Sequence, residues 1–230
     1  EYVAVSVTIL FTIATSGLLG LYMAKVFAGT RTGLDPVFVP IERLVLRVTG
    51  IDPGAQQDWK AYGRSLVISN VCMWLATWTI VTFQQHLPLN PDGIGNMEPT
   101  LAFNTISSFT TNTNLQHYSG ETGLSYFSQM FVITFLQFVT AGTGMAAAAA
   151  VIRGLGGNRL TRLGNFYVDM TRAAIRVLLP LSLLIGVLCM WQGTPMTFEG
   201  AARATTVEGA EQTIARGVTA GVVAIKQLGT

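Results

Sequence analysis

Charge is what this sequence has least of. Asp, Glu, Lys and Arg together make up 11% of the 230 residues, against about 25% in soluble domains, while hydrophobic residues make up 50%. That balance excludes an ordinary soluble domain and marks an integral membrane protein with lipid as its first partner. A net charge of +2 without any Lys/Arg cluster excludes nucleic acid, because a phosphate backbone needs concentrated positive charge. Cysteine is nearly absent too. Cys72 and Cys189 sit inside apolar runs as small hydrophobes, so neither a disulfide between them nor a metal site is expected. The chain carries no GxxxxGK(S/T) loop and no DKTGT-like phosphorylation site, so it does not itself split ATP. Enzyme chemistry has one remote reading, an intramembrane hydrolase pairing Ser125 with His117, and it lacks a nucleophile elbow and an acid to orient the histidine. His117 and Glu121 have the four-residue spacing of a helical metal pair, but Ser119 and Gly120 argue against helix and no third ligand is near.

Four apolar stretches are present instead. The first, Val3 to Ala24, has no charged residue and at about 1.5 Å per residue is long enough to cross roughly 30 Å of hydrocarbon. No Lys or Arg precedes it, whereas Lys25 and Arg31 follow, which favours an anchor with its N-terminus outside over a signal peptide. The connector from Arg31 to Arg64 holds Pro36, Pro40, Pro53 and Gly54, and its amphipathic patch from Ile41 to Val48 predicts one short surface helix. Ser65 to His86 is the second span, with Trp74 and Trp78 on one face, and Leu87 to Met97 is a turn-rich exit. Gly123 to Ile152, the third, contains Gln129, Thr134, Gln137, Thr140, Gly142, Thr143 and Gly144. That density of small and polar residues predicts packing against protein and a bend near Gly142 and Gly144. Ala173 to Trp191 is the fourth, with Pro180 a kink that neighbouring helices must accommodate. A polar segment follows, then Gly217 to Leu228, which is apolar apart from Lys226 and Gln227 and too short to cross. Of the 14 basic residues, 11 fall either between the first and second spans (six, Lys25 to Arg64) or in the basic stretch from Arg153 to Arg176 that leads from the third span into the fourth (five), a side which the positive-inside rule makes cytoplasmic.

Between the second and third spans lies the stretch Glu98 to Glu121. Its first half suits a short helix: Pro99 fits the first position, Glu98 the positive N-terminal end, and Leu101, Ile106 and Phe109 an apolar side. Its middle is five small polar residues in a row, Thr110, Thr111, Asn112, Thr113 and Asn114, which a membrane tolerates only where protein or water surrounds them. Asn readily visits the left-handed region, so Asn112 and Asn114 alternating with Thr111 and Thr113 can turn successive carbonyls one way, at the negative end of a half-helix. Read alone, this run fits a polar turn between spans as well as it fits a cation filter. The order span, half-helix, polar run, span is that of a re-entrant pore loop, and it begins again after Arg172.

FNTISSFTTNTNLQHYSGETGLSYFSQM (Phe103 to Met130), with HLPLNP (His86 to Pro91), TTVEGA (Thr205 to Ala210) and AIKQLGT (Ala224 to Thr230), resembles the potassium-binding subunit family of the bacterial potassium-transporting P-type ATPase, KdpA. The resemblance implies an all-α integral membrane fold of helix, pore-loop, helix repeats in the potassium-channel-like superfamily, here truncated because family members run to more than twice this length. It divides the chain into residues 1–64, a first transmembrane helix with its cytoplasmic loop; 65–152, a first repeat with its filter; and 153–230, the start of a second repeat that stops before its filter. It implies K+ as the transported ion, no organic cofactor, a bacterial inner membrane location, and partners that include an ATP-hydrolysing P-type subunit and small accessory membrane subunits. The filter expectation covers Thr110, Thr111, Asn112, Thr113, Asn114 and Gln116, with backbone carbonyls of Thr111, Asn112 and Thr113, and the Thr111 hydroxyl as an extra ligand, replacing the water that K+ sheds. A passive potassium channel or symporter subunit would use the same architecture and is the alternative.

Overall fold

A computed structural model of the chain describes residues 2–113, 115, 117–157, 161–214 and 216–229. Among them are four helices long and apolar enough to cross a membrane: α1 (Tyr2–Ala28), α3 (Trp59–Thr82), α5 (Tyr126–Gly156) and α6 (Phe166–Trp191). Shorter helices join them, chief among them α2 (Asp35–Val48), α4 (Pro99–Thr110) and α7 (Thr219–Gly229). The chain folds as an all-α membrane protein. The departure among the described residues is a small antiparallel hairpin, β1 (Ala202–Thr205) against β2 (Glu211–Ile214), in register from Ala202 with Ile214 to Thr205 with Glu211. Its four-residue strands lie in what reads in the sequence only as a polar segment, too short for a period-two pattern to stand out.

Exposure separates the helices. In α1 only Val26 is buried, and the hydroxyls of Thr8, Thr12, Thr15 and Ser16 donate back to carbonyls of their own helix, which satisfies them without an outside partner. By contrast α5 buries nine residues of its 135–156 stretch, seven of them Gly, Ala or Thr clustered from Thr140 to Ala150. A Cβ at Gly142 would stand 3.5 Å from the Met170 carbonyl of α6, so its lack of a side chain lets two helix backbones approach. The helical path widens at Gln129–Thr134, directly ahead of the regular turns that begin at Phe135.

Pro180 is accommodated by two devices. A widened turn at Ala173–Leu178 comes immediately before it, where the proline ring would otherwise press on the preceding turn. The carbonyl four residues back, that of Arg176, cannot receive a proline N–H, and the Tyr22 hydroxyl of α1 donates to it at 2.6 Å. An apolar helix with few buried residues is thereby tied to the bundle at the one carbonyl that proline leaves open.

At the arginine-rich end an ion pair joins the elements. Both terminal nitrogens of Arg153 donate to Asp169, at 2.6 and 2.9 Å, and also to the carbonyls of Leu163 and Phe27. The Tyr62 hydroxyl lies 2.7 Å from the Ala146 carbonyl and 3.1 Å from Asp169. Gly164 has a φ of +105°, and a Cβ there would meet Arg153 at 2.5 Å, so glycine serves both backbone and contact. A buried pair stabilises only while both partners remain. Asp169→Leu alone is therefore expected to lower stability by roughly 3 kcal/mol, and the double change Arg153→Met with Asp169→Leu to recover most of it, read as thermal unfolding of the full-length protein in detergent. Equal losses in the two variants would remove the pair as the cause.

Candidate functional site

The site is built on α4. Pro99 starts the helix, and the Glu98 carboxylate before it accepts from the Leu101 N–H at 2.8 Å. A hydrogen bond from the Thr100 hydroxyl, helped by the backbone N–H groups, holds that carboxyl below the usual glutamate range. The cap is consequently fully made above about pH 5 and is lost as the pH falls through the lowered value. Ala102, Thr105, Ile106, Ser108 and Phe109 are buried, and α4 packs with Val81 of α3 and Val132, Ile133 and Leu136 of α5 in one apolar cluster. Gln84 closes the N-terminal end of α4: its amide donates to the carbonyls of Gly95 and Gly123 at 2.8 and 2.9 Å and accepts from the Ser125 N–H.

The other end of α4 stops at depth. Trp74 of α3 donates its indole N–H to the Ser107 hydroxyl at 3.0 Å, roughly 12 Å along the helix from Thr82 at 1.5 Å per residue. Thr140 of α5 reaches the Phe109 carbonyl at 3.4 Å, roughly 21 Å from Tyr126. The Trp74 ring stacks on Trp78 with centroids 6.0 Å apart, and Phe103 of α4 meets it edge-on. A polar helix terminus thus sits well inside the layer bounded by the flanking spans.

There the chain makes a compact left-handed exit. Asn112 has a φ of +58°, its N–H donates to the Phe109 carbonyl at 3.3 Å, and the Thr113 N–H donates to the Ser108 carbonyl at 2.9 Å. This is the Schellman pattern, which turns a chain out of a helix and occupies carbonyls of its last turn. The Thr111 N–H and hydroxyl both donate to the Ser107 carbonyl, at 3.0 and 2.8 Å. The Thr111 proton is committed to the helix, and only its oxygen lone pairs face elsewhere. Among the described residues no amide or hydroxyl donates to the carbonyls of Thr111 or Thr113.

Ser108 is the residue that sequence reasoning missed. Its hydroxyl lies 3.3 Å from that of Thr113 and accepts the Leu115 N–H at 2.6 Å, clasping the turn from beneath. Asn70 is the second. It joins Thr110, Thr111, Asn112, Thr140 and Thr143 around a recess of about 610 Å³ below the turn. The Asn70 Oδ1 and Thr110 Oγ1 atoms are buried without a hydrogen-bond partner. A lone Asn in an apolar run was the available signal for it. Of the six expected filter residues, the structure brings Thr110, Thr111, Asn112 and Thr113 together at this turn, while Asn114 and Gln116 lie outside the described residues. His117 is exposed beyond it.

The KdpA family model, described as the potassium-transporting ATPase A subunit, matches residues 6–230. The chain belongs to the KdpA family. It is 47% identical over 212 residues to a relative from Caldanaerobacter subterraneus subsp. tengcongensis, covering 92% of this chain and 38% of that protein. It is 48% identical over 227 residues to one from Alicyclobacillus acidocaldarius subsp. acidocaldarius, covering 99% and 40%. A third, from Pseudomonas aeruginosa, is 48% identical over 212 residues, 92% of this chain and 38% of that protein. Each carries the name potassium-transporting ATPase potassium-binding subunit. The chain spans about two-fifths of the length of these relatives.

Asn112 carries the test of the turn itself. A β-branched side chain at this φ costs roughly 1–2 kcal/mol and glycine costs far less, so Asn112→Val is expected to lower the unfolding temperature of the full-length protein and Asn112→Gly to leave it nearly unchanged. Equal behaviour of the two would mean that the left-handed exit is not required.

Proposed function

We propose that this chain supplies one potassium-selective strand of an ATP-driven potassium uptake complex. The observation that carries the reading is the position of the Asn112 turn: a helix terminus at depth, its last turn already hydrogen-bonded, with the Thr111 and Thr113 carbonyls left over above a recess edged by unpartnered oxygens. Potassium must shed water to pass, and neutral carbonyl oxygens of Thr111, Asn112 and Thr113 replace that water without holding the ion too tightly to leave. The negative end of the α4 dipole adds to the attraction at the same spot. Thr110 supports the strand from the helix side, and Asn114 and Gln116 shape the outer mouth.

In this reading residues 1–64 form the first transmembrane helix and its cytoplasmic connector, 65–152 a helix, pore-loop, helix repeat, and 153–230 the beginning of a second. α7 is then the half-helix of that second repeat, standing to α6 as α4 stands to α3. The N-terminus lies outside a bacterial inner membrane, and the arginine-rich ends of α3, α5 and α6 lie in the cytoplasm. K+ is cargo. ATP is split by a separate P-type subunit, with small accessory membrane subunits completing the complex, and this chain is not itself catalytic. The names of the relatives and the placement of the turn support this reading.

The test uses potassium-import-deficient cells making the full-length parent with its ATPase partner. Asn112→Val should raise the external potassium needed for half-maximal uptake by about tenfold, equivalent to about 1.4 kcal/mol of lost binding, and Asn112→Gly by much less, with assembly intact in both. Unchanged uptake in Asn112→Val would make the turn an ordinary loop. Uptake that persists without the ATPase partner would favour a passive channel or symporter subunit.

A further inference from the structure

At the arginine-rich end, far from the filter turn, α2 and α6 enclose a second recess of about 710 Å³. Arg31, Arg43, Arg172 and Arg176 line it, together with Asp35 and Glu42. Four cations against two anions leave an excess of two positive charges.

The four arginines are not equivalent. Arg172 donates through Nε to Glu42 at 3.1 Å. Arg176 donates from one terminal nitrogen to Asp35 and to the Thr32 hydroxyl, and its other terminal nitrogen stands 3.6 Å from Glu42, too far for a hydrogen bond. The Arg176 side chain is 4% exposed, and its buried Nε has no hydrogen-bond partner. A guanidinium carries five N–H donors and cannot shed its charge, so this one lies in the wall with donor capacity left over. Arg31 and Arg43 are exposed at the rim, and among the described residues neither makes an ion pair.

The helix forming one wall explains what reaches the recess. α2 buries Phe38, Glu42 and Leu46 on one side, while Val37, Ile41, Leu44 and Val48 are exposed. A helix with an unburied apolar side and a cationic flank lies in the membrane interface, its apolar side sunk roughly 5–10 Å into the headgroup boundary. A recess beside it stands at the depth of phospholipid phosphates. We propose that it binds the phosphodiester headgroup of an anionic phospholipid. Arg31 and Arg43 meet the charge at the rim, and the guanidiniums of Arg172 and Arg176 form the wall against which the phosphate oxygens rest. The excess of two charges selects an anionic over a zwitterionic headgroup, and the exposed valines, isoleucine and leucine of α2 favour a lipid over a free phosphate. The proposal stands apart from the filter and survives or fails without it.

The experiment is native mass spectrometry of the full-length protein in its complex, incubated with phosphatidylglycerol, phosphatidylethanolamine or inorganic phosphate. Wild type should retain phosphatidylglycerol over phosphatidylethanolamine. The double variant Arg31→Gln with Arg43→Gln, which breaks no ion pair, should weaken that retention by roughly tenfold or more, since each arginine near an anionic surface contributes substantially. Arg47→Gln, on the same helix but outside the recess, should leave it unchanged. Equal retention by wild type and the double variant overturns the site, and an equal loss in Arg47→Gln reduces it to diffuse attraction. Displacement of phosphatidylglycerol by millimolar inorganic phosphate would assign the recess to free phosphate instead.

Discussion

A helix that ends inside a membrane must either hide its last carbonyls or use them, because no water is present to satisfy them. Much of this molecule answers to that constraint. The last turn of α4 is closed by the Asn112 exit, by the Thr111 and Thr113 hydroxyls and by Ser108. Trp74 from α3 and Thr140 from α5 reach in from either side to the same turn. Gln84 fixes the loops at the other end of α4, so the short helix is clamped at both termini while its apolar side fills the space between two spans. What the clamp leaves over, among the described residues, is the carbonyls of Thr111 and Thr113, the oxygens that the proposed function assigns to a dehydrated cation.

The ion pairs that join the long helices lie away from the turn. Asp169, Arg153, Glu42, Arg172, Arg176 and Asp35 form ion pairs that join α2, α5 and α6, whereas the turn at Asn112 is lined with neutral oxygens. The segregation has a physical reason. Under the proposed function a carboxylate beside the ion would bind it too firmly, while at the membrane boundary a paired charge orders helices at modest cost. Removing one member of such a pair is harmful because the other is then left buried alone.

Much of this was legible in the residues. The four spans follow from uninterrupted apolar runs, and the structure lengthens three of them at the arginine-rich end: Lys60 and Arg64 open α3, Arg153 closes α5, and Arg172 and Arg176 lie inside α6 and not in a connector. Glu98 and Pro99 announced the start of α4 and Asn112 its left-handed end, since few residues fit those positions. Ser108 was not legible, because a serine within an amphipathic helix has no local signature, and Asn70 showed only as a lone polar residue in an apolar run. Their roles depend on which helices become neighbours. The same holds for Gly142, whose missing side chain makes room for the Met170 backbone, and for the Tyr22 hydroxyl, whose partner at Arg176 lies 154 residues away. The hairpin at Ala202–Ile214 escaped notice because its strands are short and polar.

The central claim, that the carbonyls at the Asn112 turn hold a dehydrated potassium ion, is tested most directly by locating the ion. The measurement is the anomalous scattering of rubidium, exchanged for potassium in crystals of the full-length protein with its partners. The account predicts density bounded by the carbonyl oxygens of Thr111, Asn112 and Thr113, lost when sodium replaces rubidium. Density that lies elsewhere in the subunit, or that persists unchanged in sodium, would contradict it.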